Sequence, residues 1–206
     1  MSKRGPRERF VYVLDYLKDG NPLDRHSWHR NKPLLQLIGE DHFILMEAYP
    51  YRELFQLEER VDRDSDPTSL KVDVLINYED LTTVARDTLL RVLNKIVSEK
   101  EKFFVDFFNK ADSLTLKLHA LELLPNIGKK TAWSIIEERK KKPFTSFKEI
   151  EERVGLKDVK EIIVQRIIIE IKREDKYFLF VYPSETDKKT ADQKYIGYLD
   201  KIKQST

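Results

Sequence analysis

Apolar and polar positions follow two different periods along this chain. The first third carries compact β-prone runs: Phe10-Val11-Tyr12-Val13-Leu14, Leu34 to Ile38, and His42 to Tyr49, the last two split by the turn-like Gly39-Glu40-Asp41. Runs at Leu54 to Val61 and Lys71 to Ile76 complete five short strands, a pattern that predicts a small barrel or sandwich. Asp19-Gly20-Asn21-Pro22, Pro50 and Pro67 punctuate them. From about Asp80 the period becomes helical, with Leu81, Val84, Ala85, Leu89, Val92, Leu93, Ile96 and Val97 on one face. Phe103, Phe104, Phe107 and Phe108 form two aromatic columns on a second helix, which read as core rather than as a base-stacking platform. Residues 115–139 read as a helix, a tight hairpin and a second helix. Ser146-Phe147-Lys148-Glu149 matches a capping box, so a helix should run from there to about Arg153. Gly155 breaks it, and an apolar helix follows from about Asp158 to Lys172. Tyr177 to Tyr182 reads as a final strand. Alone it would be a sticky edge, so it is expected to return to the N-terminal sheet. The tail after Pro183 is polar.

The informative stretch is Leu124-Pro125-Asn126-Ile127-Gly128-Lys129-Lys130-Thr131. Pro125 ends the preceding helix because it cannot continue the hydrogen-bond ladder. Asn126 and Gly128 allow the chain to reverse in few residues. Ile127 can point inward and pin the turn, and Gly128 leaves room for a ligand. The amides that follow open a helix, unpaired and partially positive, which makes an anion site with phosphate as the natural occupant. Lys129 and Lys130 add full charges there. The alternative for these residues is an ordinary turn between packed helices.

This stretch resembles the helix-hairpin-helix motif of sequence-independent nucleic-acid binders, with Asn126 standing where the first hairpin glycine usually is. Arg153-Val154-Gly155-Leu156-Lys157 reads as a degenerate second hairpin that mainly packs, while Lys140, Lys141, Lys142 and Lys148 extend the basic face. More broadly, the chain from about Phe10 to Val181 resembles an uncharacterised, mainly archaeal family that joins an OB-like barrel to a helix-hairpin-helix domain. The strings that carry this are Tyr12-Val13-Leu14-Asp15-Tyr16-Leu17, Tyr78-Glu79-Asp80-Leu81-Thr82, Phe107-Phe108-Asn109-Lys110-Ala111, Leu118-His119-Ala120-Leu121-Glu122-Leu123-Leu124-Pro125 and Lys141-Lys142-Pro143-Phe144-Thr145-Ser146-Phe147. The chain departs from the pattern around Tyr51 to Lys71, where the spacing is irregular, and in its tail. The resemblance implies an α+β fold: an OB-like small β-barrel over 1–76, connecting helices over 77–118, a helix-hairpin-helix domain over 119–174, and a returning strand with polar tail over 175–206. It implies a binder of RNA or DNA, RNA favoured and ribosome-related, gripping the sugar-phosphate backbone without strong sequence preference.

Net charge is only +2, but it is unevenly spread. Residues 1–32 hold eight Lys/Arg against four Asp/Glu (+4), residues 33–80 four against twelve (−8), and residues 118–160 ten against seven (+3). Solvated charge on a soluble protein explains composition alone as well as a phosphate-binding face does. The connection Leu17 to Pro33 is long for a hairpin and carries Arg25, Trp28, His29, Arg30 and Lys32. Such a loop can contact nucleic acid in an OB-fold. Trp28 either stacks on a base or buries against the barrel and anchors the loop. Lys3, Arg4, Arg7 and Arg9 suggest a basic arm adding salt-dependent affinity.

Cysteine is absent, which excludes disulfides, thiolate metal sites and cysteine nucleophiles. His26 and His29, with Asp24 nearby, invite a zinc reading, but no thiolate or third imidazole completes a set, so no metal and no cofactor are expected. No phosphate loop, dinucleotide fingerprint or serine-nucleophile motif occurs, so no catalytic residue is assigned. Three alternatives to the RNA binder stand: a DNA-binding accessory of repair or recombination, a glycosylase-like enzyme using Asp158, and a protein-interaction scaffold. With neither a signal peptide nor a membrane span visible, a cytoplasmic location without membrane partners is expected.

Overall fold

The early alternation becomes an antiparallel sheet in the computed structural model, which describes residues 6–183, 193–198 and 200. Two compact units divide the chain: Met1–Val92 with Val181–Gln193, and Leu93–Phe180 with Lys194–Thr206. The first unit holds β1 (Phe10–Leu17), β2 (Leu34–Gly39), β3 (Leu45–Pro50), β4 (Arg60–Asp62) and β5 (Leu70–Leu75), in the order β4-β1-β2-β3-β5. Val11, Val13, Leu35, Leu37, Met46 and Ala48 project from alternate positions into one core with Val61, Leu70, Ile44 and Phe55. Each such side chain contributes about 1.5–3 kcal/mol on burial, so a one-residue slip of register is strongly disfavoured. Tyr12, Leu14, Leu34 and Ile38, on the other face, are buried too. The expected barrel does not close, because β4 and β5 are not paired. The strand expected over Leu54 to Val61 shrinks to Arg60–Asp62. Residues before it carry Glu58 at a left-handed φ of 64° and an Arg52–Glu59 ion pair in place of an apolar alternation.

Glu8 ties the β2–β3 turn from beneath. Its buried carboxylate accepts from the amides of Asp41 (2.9 Å) and His42 (2.8 Å). Gly39 is required beside it, since a Cβ there would fall 2.0 Å from the Glu8 carboxyl carbon.

The helical period is realised as α1 (Thr83–Glu99) and α2 (Glu101–Lys110). Ala85, Leu89, Val92, Leu93, Ile96 and Val97 are buried as expected, whereas Val84 is 47% exposed. In the second unit Phe104, Phe107 and Phe108 are core, with the Phe107 ring 5.1 Å from Phe180 and 4.9 Å from Tyr198. A small hairpin of β6 (Ser113–Thr115) and β7 (Leu118–His119) precedes α3 (Lys129–Lys141), α4 (Phe147–Val154) and α5 (Val159–Ile171). Ser146 caps α4 as its sequence predicts, accepting from the Glu149 amide at 3.1 Å.

Two expectations are corrected here. The segment before Pro125 is not an α-helix but the β6–β7 hairpin and a 3-10 turn over Ala120–Leu123. His119 accepts from the Leu121 amide, Glu122 accepts from the His119 amide, and Pro125 follows too soon for a longer ladder. The final strand does not return to the five-stranded sheet. Its first residues form β8 (Tyr177–Phe178), which pairs in parallel with β9 (Lys194–Tyr195). The cause is the buried pair Arg166–Glu170 (2.7 Å) on α5: Glu170 accepts from the amides of Leu179 (2.8 Å) and Phe180 (2.9 Å). Those donors are then held beside α5. Within the first unit, the Tyr182 amide donates to the His42 carbonyl at 2.9 Å. Lys3, Arg4 and nearly all of the tail after Pro183 lie outside the described residues.

Candidate nucleic-acid interface

The turn between Leu124 and α3 is built as its residues demand. Ile127 is buried and its amide donates to the Leu124 carbonyl at 3.2 Å, which closes the corner. Asn126 takes a φ of 62°, the left-handed conformation that Asn tolerates next best after glycine. Gly128 is the N-cap of α3, with φ −88° and ψ −179°, and its carbonyl accepts from the Ala132 amide at 2.9 Å. A Cβ at Gly128 would meet nothing within 4 Å, so the space in front of it is open. No side chain caps this helix. Among the described residues, no group accepts from the amides of Gly128, Lys129, Lys130 or Thr131. Gly128, Lys129 and Lys130 are exposed and Thr131 is half-buried. The helix macrodipole adds partial positive charge at the same place.

Sequence reasoning passed over Trp133. It is 63% exposed, three and four residues after the two lysines, and helical side chains lean toward the N-terminus. The signal was available: Ala132 and Ile135 are the buried positions of α3, and Trp133 falls off their face.

The other predicted lysines behave differently. Lys140 lies 2.8 Å from Glu137, Lys141 2.6 Å from Glu138, Lys142 3.3 Å from Glu149 and Lys148 3.8 Å from Glu152. Lys140 also sits about 16 Å along α3 from Lys129, at 1.5 Å per residue. Each of these lysines therefore has an acidic partner, while the Lys140 ammonium also lies 5.6 Å from the centre of the Trp133 ring and Lys148 belongs to α4. The second turn is likewise filled from within. Gly155 takes the left-handed φ of 77°, Asp158 accepts from the Glu161 amide (3.2 Å), and Glu151 accepts from the Val159 amide (2.9 Å).

In the first unit the Leu17–Pro33 connection presents a mixed surface. Lys32 is exposed, Arg25 lies 3.4 Å from Asp80, and the Arg30 Nε donates to the Asp24 carbonyl at 3.0 Å. Trp28 is half exposed while its Nε1 donates to Asp73 at 3.1 Å, so the indole anchors the loop and still shows a face. His29 is corrected: it is fully buried and cannot touch a bound polymer. Three carboxylates, Asp24, Glu47 and Asp73, surround its ring and draw it inward. The anticipated arm is corrected in part, since Arg7 pairs with Asp64 (2.7 Å) and Arg9 with Asp62 (2.9 Å). Asp24, His26, His29 and Glu47 together are a set that could hold a metal ion. Among the described residues no helix is long and apolar enough to cross a membrane.

The sequence model of the family described as "Protein of unknown function (DUF655)" matches residues 7–182. The uncharacterized protein MJ0038 of Methanocaldococcus jannaschii is 43% identical over 180 residues, covering 84% of this chain and 80% of that protein. Among solved structures, the chain is similar to the crystal structure of Af1531 from Archaeoglobus fulgidus, of the same family, with a TM-score of 0.74 and 43% identity over 85% of this chain and 100% of that one.

Proposed function

The chain belongs to the DUF655 family, and on that footing we propose that it is a non-enzymatic nucleic-acid-binding protein that holds a sugar-phosphate backbone without strong sequence preference, RNA favoured over DNA. One observation carries the reading: the exposed arc of unpartnered amides from Gly128 to Thr131, flanked by Lys129 and Lys130, with open space in front of Gly128. Backbone donors of this kind recognise phosphate, which every nucleotide presents, and leave the base unread. We read Leu124 to Thr131 as the hairpin of a helix-hairpin-helix unit with its first arm shortened to a 3-10 turn. In this reading α4, Gly155 and α5 form its second half, which packs rather than binds because Asp158 and Glu151 already occupy its amides. The strand order β4-β1-β2-β3-β5 suits a partly open OB-like barrel, a scaffold that often serves the same purpose. Trp133 favours an unpaired strand, since an exposed indole beside a phosphate site offers a base a stacking partner. Asp158 caps α5, a role that favours the binder over a glycosylase-like enzyme.

Gly128→Asp tests the site with little risk to the fold. The position has an ordinary φ and room for a side chain. An N-cap carboxylate there would accept from the first-turn amides itself, holding or slightly raising helix stability while occluding phosphate. Structured RNA, single strands and duplex DNA should all lose affinity by a similar factor, with the melting temperature unchanged or raised. Wild-type affinity in this variant would overturn the reading.

A further inference from the structure

The long Leu17–Pro33 connection and β3 bring together four side chains that nothing in the hairpin reading uses. Asp24, His26, His29 and Glu47 each offer one ligand atom, and those atoms all lie within 4.8 Å of one another. His29 Nδ1 is 3.0 Å from Glu47 Oε2 and 3.3 Å from Asp24 Oδ2, while His26 Nδ1 is 3.1 Å from Asp24 Oδ1 and 3.9 Å from Glu47 Oε2. A tetrahedral ion with bonds of 2.0–2.2 Å holds its ligand atoms about 3.3–3.6 Å apart, so the paired separations of 3.0–3.9 Å bracket that spacing and the widest in the set, at most 4.8 Å, needs a small inward shift.

The surrounding groups orient the set. Gln36 lies opposite Glu47 across β2 and β3, and its Nε2 donates to Glu47 Oε1 at 2.9 Å. That fixes the carboxylate and leaves Oε2 facing the histidines. Glu47 is 1% exposed, and Oε2 accepts no hydrogen bond despite its nearness to His29. On the far side of the ring, His29 Nε2 lies 2.9 Å from Asp73. A carboxylate there favours the proton on Nε2 and turns the bare Nδ1 lone pair toward Asp24 and Glu47, the arrangement that second-shell carboxylates impose on metal-bound imidazole. With the proton so placed, Nδ1 and the two buried carboxylates face one another as acceptors, a set that a cation between them would satisfy. The site also has an entry path. Asp24, His26 and Glu47 line a cleft of about 480 Å³ that also touches Arg25, Asp80 and Thr82.

We propose that Asp24, His26, His29 and Glu47 bind a divalent first-row transition metal, zinc by preference, which pins the Leu17–Pro33 loop to β3. Two imidazoles and two carboxylates suit zinc or a neighbouring ion better than magnesium or calcium, which take oxygen ligands. Two buried carboxylates and a divalent ion also cancel in charge. Four protein ligands make this a structural centre rather than a catalytic one.

The full chain should carry about one zinc per molecule, measured by mass spectrometry of the metal after gel filtration. Stripped with chelator and titrated with Co²⁺, it should develop the visible bands of a tetrahedral ion, and added Zn²⁺ should displace them and raise the melting temperature. Glu47→Gln keeps the acceptor for Gln36, and His26→Asn changes the more exposed ligand. Each should weaken Co²⁺ binding at least roughly tenfold. The proposal fails if folded, stripped wild-type protein binds neither ion at roughly 100 μM, or if both variants bind as the wild type does. Should the variants not fold, the wild-type titration alone decides. None of these readouts depends on nucleic-acid binding.

Discussion

Lys129 and Lys130 differ from Lys140, Lys141, Lys142 and Lys148 in having no acidic neighbour among the described residues, and salt dependence should expose that difference. Replacing both with Gln removes two charges at the amide arc without adding a repulsive one. If each contacts one phosphate, the slope of log affinity against log salt should flatten by about 1.8 on duplex nucleic acid and about 1.4 on single strands. Between 50 and 200 mM salt, the advantage of the wild type over Lys129→Gln/Lys130→Gln should therefore shrink about twelvefold on a duplex and about sevenfold on a single strand. The matched control is Lys141→Gln/Lys142→Gln. Those ammonium groups lie 2.6 and 3.3 Å from Glu138 and Glu149, so the slope should change by less than about half as much. Fluorescence anisotropy with labelled RNA at five salt concentrations measures both. Equal slopes for the wild type and the hairpin variant would refute the assignment of phosphate to this corner, and so would equal flattening in the control.

Two further outcomes follow from buried and clustered charge. Arg166→Met leaves the Glu170 carboxylate buried without the guanidinium 2.7 Å away and strips a donor from the Leu123 carbonyl; the expected loss is about 3–5 kcal/mol in chemical denaturation, with faster hydrogen exchange at Leu179 and Phe180, and a loss under about 1 kcal/mol would show that the pair does not hold that segment. Glu149 is held at about 2, below its ordinary 4.5, first by the Thr145 hydroxyl and amide and then by Lys142 and Arg153. A depressed carboxyl stabilises the fold above its ordinary value and loses that contribution as pH falls toward 2, so the melting temperature should drop across that window and drop less in Glu149→Gln. A gap between the two proteins that stays constant from pH 7 to pH 2 would contradict this.

How much of this was legible depended on whether a residue's partner lies near it in sequence. The turn into α3 was readable because its parts are local: Asn126 turns left-handed and Gly128 opens the helix. The α1 face, the Ser146 cap and the Gly155 break were readable for the same reason. The open sheet was not, because it depends on whether β4 and β5 meet, and a stretch rich in Arg, Asp and Glu carries no period to tell. The last strand went astray because the apolar run at Tyr177 signals burial without naming what buries it. The answer lay in Arg166 and Glu170, one helical turn apart on α5 and recorded in the sequence only as breaks in an apolar run.

Polar residues inside apolar runs prove to be the most informative positions in the chain. Charge tallies by region gave the stretch 118–160 a modest positive excess, yet four of its eight lysines sit beside glutamates, and only two of the other four lie at the turn into α3. Gln36 and Glu47, by contrast, add almost nothing to any tally. Each interrupts a buried strand, and the β2–β3 register sets them opposite one another. A buried polar group left without a partner costs about 1–3 kcal/mol, and more when charged. Glu47 has Gln36 for one oxygen and two histidines near the other, so the fold keeps a carboxylate where an aliphatic side chain would have packed at no such cost. A ligand on that second oxygen would offset this cost, and the same logic sets Glu170 apart, since both of its oxygens are already bonded to Arg166 and to the amides that follow α5.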